Sequence, residues 1–228
     1  MSETAPFTAG FTRPTRSPEA AIAFLLMLRR RGVQHASVLR AMETLPRAAF
    51  LPRRYIDLAD EDVAVPLPCG QTATAPAALG QMISALEPEP RGDVLEVGTG
   101  SGYGSAILAR CSRAVVTLER WETLAVEARG RMKTLGLRNV EVVRADALSP
   151  LKAERPFGRI LVNAALDEVP GSLLACLAPG GRIVFGRAEP NRAEATLMAG
   201  VKGERGLDLA ELGRVPLARI ERGLSAAL

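Results

Sequence analysis

The alternation of apolar and polar positions changes rhythm at Glu87–Asp93 (EPEPRGD), which reads as a linker. Before it, apolar residues recur at helical spacing. Ser17-Pro18-Glu19 supplies an N-cap, a proline at the first helical position and an acid in the first turn, predicting a helix to about Arg30. A second helix is predicted over Ala36–Leu45, stopped by Pro46, and a third over Pro76–Leu86. Asp57–Gln71 differs: an acidic stretch (Asp60, Glu61, Asp62), an apolar alternation and then PLPCGQ mark a shaped loop. After the linker, short apolar runs alternate with helical patterns. Strands are predicted at Val94–Val97, Ala114–Leu118, Val140–Val143 and Ile160–Val162, with a fifth led in by Gly180–Gly186. Helices are predicted from the turn Gly98–Gly104 to about Ala109, over Trp121–Leu135 and over Ser172–Leu177. Ala195–Val201 and Leu209–Ile220 read as closing strands, antiparallel to the rest. This rhythm predicts an α/β fold: a doubly wound, mostly parallel sheet with helices on both faces and a helical annex at its amino end. Residues 1–16 read as a mobile arm, 17–90 as the helices and loop, and 91–228 as the sheet core, the last two forming one compact unit.

Composition narrows the chemistry more than the fold. The chain has 228 residues, 47% hydrophobic and 24% charged, the balance of one globular domain. Its net charge is +4, spread with no basic run longer than Arg29–Arg31, so it reads as a solvated surface and no nucleic-acid partner is expected. Three distant cysteines (Cys69, Cys111, Cys176) and a single histidine, His35, leave too few ligands for a zinc site and argue against imidazole-based hydrolysis; no metal is expected. The same cysteine usage suits a reduced, cytoplasmic chain. Ala20–Leu28 is the longest apolar run, with nine residues: too short to span a bilayer, and without the cleavage site of a signal peptide. It is expected to be a buried helix face.

The most specific motif is VLEVGTGSGYGSAIL (Val94–Leu108), placed directly after one strand and before one helix. A dinucleotide fingerprint would need a glycine where Tyr103 stands. The acid-x-Gly-x-Gly-x-Gly spacing of Glu96, Gly98, Gly100 and Gly102 instead resembles class I S-adenosylmethionine-dependent methyltransferases, which have a Rossmann-like sheet. That resemblance implies that Glu96, Gly98, Thr99, Gly100, Ser101 and Gly102 hold the amino acid end of S-adenosyl-L-methionine. It also implies that Glu119, with Arg120 beside it, takes the ribose hydroxyls at the end of the second strand, and that Asp146 and Ala147 meet the adenine after the third.

Further blocks are similar to the protein-L-isoaspartate O-methyltransferase family. VLRAMETLPRAAFLP (Val38–Pro52) resembles its amino-terminal helix and Pro-Arg-x-x-Phe-x-Pro turn. DVAVPLPCGQTATAP (Asp62–Pro76) resembles its substrate loop, PFGRILVNAALDEVPGSLLACLAPGGRIV (Pro156–Val184) its fourth-strand region, and RVPL (Arg214–Leu217) its closing strand. The implied activity is methylation of isoaspartyl carboxylates in damaged proteins or peptides, which begins their repair. The cofactor half follows the family pattern closely and the substrate half has drifted. Thr74 stands where the family has a loop serine, Pro68 for a glycine, Ala73 for an isoleucine, Gly158 for an aspartate, Asn163 for a threonine and Cys176 for a glutamine, and Gly186-Arg187-Ala188 replaces a Pro-Val-Gly.

Methyl transfer to a carboxylate suits this composition. The acceptor is already ionised at pH 7, so no general base is needed and catalysis comes from proximity and orientation. The expected donors to the acceptor are the Thr72 and Thr74 hydroxyls and the N–H groups of Gly70–Thr74; the bland reading of both threonines is a helix cap before Pro76. His35 reads as a surface helix start, Trp121 as a core residue on a helix, Cys69 and Cys176 as packing residues, and Asp60–Asp62 as a solvated face. Other functions compatible with the sequence are a carboxylate methyltransferase retuned to another peptide or small molecule, and a cofactor-binding protein without transfer activity. RNA methylation is disfavoured by Asn163-Ala164-Ala165-Leu166 at the fourth strand.

Overall fold

The computed structural model describes residues 16–151 and 155–225; the amino-terminal arm, apart from Arg16, lies outside them. Helix α1 spans Pro18–Arg30, and the Ser17 side chain accepts the Ala20 N–H at its start. Only one face is buried, by Phe24 and Leu28, while Ile22 and Leu26 are exposed, so the apolar run is half used by the core. Helix α2 covers Ala36–Thr44, ending one residue before the Leu45 expected. Two 3-10 turns, Arg47–Phe50 and Arg53–Leu58, lead into a loop that the sequence presented as irregular. That loop in fact holds a two-strand ladder, β1 (Val65–Pro66) against β2 (Thr72–Ala73), where the apolar alternation and the prolines were read together as a loop. Helix α3 follows at Pro76–Leu86.

Strands β3 (Asp93–Val97), β4 (Ala114–Glu119), β5 (Val140–Arg144), β6 (Phe157–Leu166), β7 (Leu177–Arg187), β8 (Ala195–Gly203) and β9 (Gly206–Val215) form one sheet in the order β5-β4-β3-β6-β7-β8-β9. Neighbours from β5 to β7 are parallel, and β8 and β9 are added antiparallel. Helices α4 (Tyr103–Cys111), α5 (Glu122–Thr134) and α6 (Gly171–Cys176) lie between strands. The last strand ends at Val215, short of the Ile220 expected, because Pro216 offers no N–H to a ladder.

Side-chain alternation divides the core in two. Val94, Val115, Leu161 and Val184 point to the face covered by α1 to α5. Leu95, Val97, Ile160, Val162, Ile183 and Phe185 point to the other, where α6 contributes Leu173 and Cys176. Period 2 therefore puts Glu96 on the same face as Val94, inside the larger core. The strand order reverses between β3 and β6, and open parallel sheets carry their ligand crevice at such a point, beyond the carboxyl ends of the strands.

Arg47 fixes the loop that overhangs this point. It is 1% exposed. Its guanidinium donates to the carbonyl oxygens of Val63 (2.9 Å), Leu58 (3.3 Å), Thr74 (3.3 Å) and Glu61 (3.4 Å). Arg47→Met keeps the length and removes every donor, leaving carbonyls of the loop unpaired. Urea denaturation should show a loss of about 2–4 kcal/mol. A loss below about 0.5 kcal/mol would mean that the loop is held by other contacts.

Candidate functional site

The carboxyl ends of β3, β4, β5 and β6 converge on a cavity of about 230 Å³. The turn after β3 forms its floor. Gly98, Gly100 and Gly102 all have positive φ. At Gly100 (φ +53°) an added Cβ would meet only Leu67 Cδ1, at 3.6 Å, so the protein leaves this stretch of backbone bare toward the cavity. The turn is anchored by the Gly98 and Thr99 N–H groups, which both donate to the Leu118 carbonyl.

Beneath it lies a chain of hydroxyls ending on a buried carboxylate. Thr117 Oγ1 donates to Glu96 Oε2 at 2.7 Å, which uses its one proton. Thr99 is therefore the donor in the 2.6 Å contact between Thr99 and Thr117. Ser105 Oγ also donates to Glu96 Oε2, while Glu96 Oε1 has no hydrogen-bond partner among the described residues. Burial pushes the Glu96 carboxyl up to about 7, against the Ser105 and Thr117 hydrogen bonds and with a small contribution from the charge of Glu119. Glu96, Thr99, Ser101 and Gly102 do not line the cavity; they build the turn from below and behind.

Glu119 ends β4 with its side chain 5% exposed. Oε2 accepts the Gly100 N–H at 2.8 Å and Oε1 accepts the Trp121 N–H at 3.0 Å. Each oxygen keeps a second lone pair, which is what a vicinal diol requires. Past β5, Asp146 accepts from the Leu148 and Gly223 N–H groups and the Ser149 hydroxyl. Burial raises its pKa, but those bonds and the nearby Arg222 charge outweigh it and hold the carboxyl below its ordinary value.

The segment after β9 crosses these strand ends, with Pro216 to Glu221 lining one wall of the cavity. Ala165 N–H donates to Ala218 O and Ile220 N–H to Ala165 O. Arg120 pins the segment further on, donating to Gly223 O (2.8 Å), Arg222 O (3.1 Å) and Glu221 Oε2 (2.6 Å). No spacing in the sequence signalled this strap.

The opposite wall comes from the loop before α3. Thr72 and Thr74 line the cavity together with Gln71 and Gly70. Thr74 does not cap α3: Ala75 is the N-cap residue, without a side-chain bond, and Thr74 Oγ1 donates to Asn163 Oδ1 at 2.9 Å. The α3 amide is taken instead by Asp62, whose Oδ1 accepts the Ala77 N–H at 3.0 Å; this corrects the reading of Asp62 as a solvated face. Asp60 pairs with Arg16. Trp121 is buried among Leu51, Val65, Leu67 and Leu124, at the start of α5 rather than within it. His35 likewise starts α2, half-buried, with Nδ1 at 2.9 Å from Ser37 Oγ. Cys69 sits half-buried with φ +61°, and Cys176 is buried. Among the described residues no group of three His, Cys, Asp or Glu side chains is placed to hold a metal ion.

The cavity therefore gathers Gly98, Gly100, Glu119, Arg120, Asp146 and Ala147 on one side and Thr72 and Thr74 on the other. Asn163, between them, was noted in the sequence as a substitution and as the start of the Asn-Ala-Ala-Leu run that disfavours RNA methylation, not as a site residue; its place at the carboxyl end of a strand beside the switch point was the available signal.

The family model for protein-L-isoaspartate(D-aspartate) O-methyltransferase matches residues 20–205. A protein-L-isoaspartate O-methyltransferase of Paracoccus denitrificans is 40% identical over 206 residues, covering 90% of this chain and 95% of that protein. A solved protein-L-isoaspartate O-methyltransferase shares the fold with TM-score 0.78 at 22% identity, over 90% of this chain and 67% of that one. A Plasmodium falciparum structure described as a protein-L-isoaspartate O-methyltransferase, in complex with S-adenosyl-L-homocysteine, gives TM-score 0.72 at 22% identity, over 87% and 97%.

Two predictions follow from this geometry. Glu96 is held neutral more firmly in the fold than in the unfolded chain, where its pKa is near 4.5, so the fold loses stability as pH rises from about 4.5 to 7 and the loss is complete above that. The difference corresponds to about 3 kcal/mol. Glu96→Gln should abolish that slope in denaturation curves between about pH 4.5 and 7, and parallel curves for the two proteins would contradict the assignment. Separately, S-adenosylhomocysteine should bind about 10- to 100-fold more weakly to Glu119→Ala. Gly100→Ala should weaken it as well, at a folding cost of only about 1–2 kcal/mol for a residue with left-handed φ. Unchanged dissociation constants in calorimetry would remove the turn from the site.

Proposed function

Because the chain belongs to the protein-L-isoaspartate(D-aspartate) O-methyltransferase family, we propose that its cleft transfers a methyl group from S-adenosyl-L-methionine to the carboxylate of isoaspartyl residues in damaged proteins or peptides. One observation carries the reading: the bare glycine turn and the loop before α3 face each other across a single cleft, whose lining contains no His, Cys or Lys. A nucleophile that arrives ionised, as a carboxylate does at pH 7, needs none of them.

The residues present fit the cofactor. The backbone at Gly100 is open to close approach, Glu119 keeps free lone pairs beside it, and Asp146 and Ala147 lie beyond. Glu119 would hold the ribose, the turn the amino acid end, and Asp146 with Ala147 the adenine side. When bound, S-adenosylmethionine supplies a methyl group on a sulfonium, and the electron pair of the broken bond stays on sulfur. The chain's own work is positional. Arg47 holds the loop, and donors of the loop orient the acceptor carboxylate without neutralising it, so that its oxygen keeps the electron pair that forms the ester bond. The strap forms one wall of the cleft. Among the described residues no helix is long and apolar enough to cross a membrane, and the three unpaired cysteines suit a cytoplasmic setting.

The test is transfer of labelled methyl from S-adenosylmethionine to an isoaspartyl peptide and to its normal aspartyl twin. We expect label in the first and background in the second. Equal labelling, or none in either, would refute the proposed acceptor.

A further inference from the structure

Asn163 stands where the two halves of the cleft meet. Val162 is the last residue of β6 paired with β3, opposite Val97, and the register of β6 against β7 breaks between Leu161 and Ala165. Such irregularities re-aim side chains next to active sites. Asn163 thereby leaves the ladder beside the glycine turn: a Cβ on Gly98 would lie 3.4 Å from its carbonyl oxygen. Its side chain reaches the other way, to the substrate loop, where Oδ1 accepts the Thr74 hydroxyl proton at 2.9 Å.

That bond decides which group can serve a carboxylate. Thr74 has one proton and has given it away, so its oxygen presents only lone pairs to the cleft, and these repel an anion. Asn163 has two N–H groups on Nδ2, neither partnered among the described residues, and the atom is not sealed in the core. We propose that the Asn163 Nδ2 is the side-chain donor that holds the acceptor carboxylate, and that Thr74 is a positioning residue that fixes which way the carboxamide faces. A neutral amide donor orients the carboxylate and leaves its charge available for attack. This inference rests on the isoaspartyl methyltransferase reading above.

The experiment measures kcat and KM for an isoaspartyl peptide at saturating S-adenosylmethionine, with S-adenosylhomocysteine affinity as the check on folding. Asn163→Ala should lower kcat/KM about 10- to 100-fold. Asn163→Asp, equal in shape but an anion facing an anion, should lower it further. Both should bind S-adenosylhomocysteine within about twofold of wild type. Thr74→Val should also lose activity and Thr74→Ser should keep it. Because Thr74 acts through Asn163, the double variant Thr74→Val/Asn163→Ala should be no worse than Asn163→Ala alone, within about twofold. Losses that multiply, or an Asn163→Ala enzyme with wild-type kcat/KM beside a crippled Thr74→Val, would overturn the inference and return the role to Thr74. A wild-type protein that leaves the isoaspartyl peptide unlabelled would instead overturn the functional reading, and the inference with it.

Discussion

The turn after β3 must be bare on its upper face and supported from below, and the rest of the molecule is arranged around that constraint. A turn with positive φ at three glycines has little side-chain packing to keep its shape. The support comes from polar groups: Glu96 and Thr117, opposite one another on neighbouring strands, with Ser105 from α4 and Thr99 from the turn itself. Gly104 completes the fit, since a Cβ there would come within 2.5 Å of Glu96 Oε1. A carboxylate sealed in a core is costly unless protonated or well bonded, and its raised pKa is the form that cost takes. Glu119, one strand away, clasps the same turn through the Gly100 N–H and still faces the cavity. Two carboxylates on adjacent strands thus divide the work, one buried beneath the turn and one clasping it while facing the cavity.

The opposite wall of the cleft is built by a different device. The loop from Asp57 to Ala75 has little regular structure of its own, and Arg47 gathers four of its carbonyl oxygens onto one buried guanidinium. Asp62 then ties the same loop to the start of α3. The two devices meet at Thr74 and Asn163, which join a loop of the amino-terminal part to a central strand of the sheet. The two walls of the cleft are therefore registered to each other by a bond between side chains 89 positions apart in the chain.

Much of this was legible in the sequence, for reasons that can be named. Strands β3 and β4 and helix α3 were readable because local signals and burial agree: apolar runs ended by glycine or proline, or a proline at the first helical position. The resemblance pointed to Glu119 and Asp146 at the ends of the second and third strands, and both line the cavity. The ladder β1–β2 was not readable, because Pro66, Pro68 and Gly70 cut the alternation short and made the segment read as a loop. Asp62 read as solvated because its partner, the Ala77 N–H, is 15 positions away. Glu96 read as a ligand-facing acid; period 2 alone, carried from Val94, turns it to the core, where it supports the turn from beneath. The strap beyond Val215 has no local signature, since it is held by Arg120 and Asp146 from distant strands. Non-local hydrogen bonds, rather than hydrophobic pattern, account for most of what the chain withheld.

The central claim is that one cleft, floored by the Gly98–Gly102 turn and roofed by the loop before α3, brings a cofactor and a carboxylate into line. The most direct measurement is a crystal structure of the protein with S-adenosylhomocysteine and an isoaspartyl peptide. The account predicts ribose hydroxyls on the Glu119 carboxylate and the isoaspartyl carboxylate beside Asn163, facing the cofactor sulfur across the turn. A peptide carboxylate seated outside this cleft, or a ribose held by other residues, would contradict it.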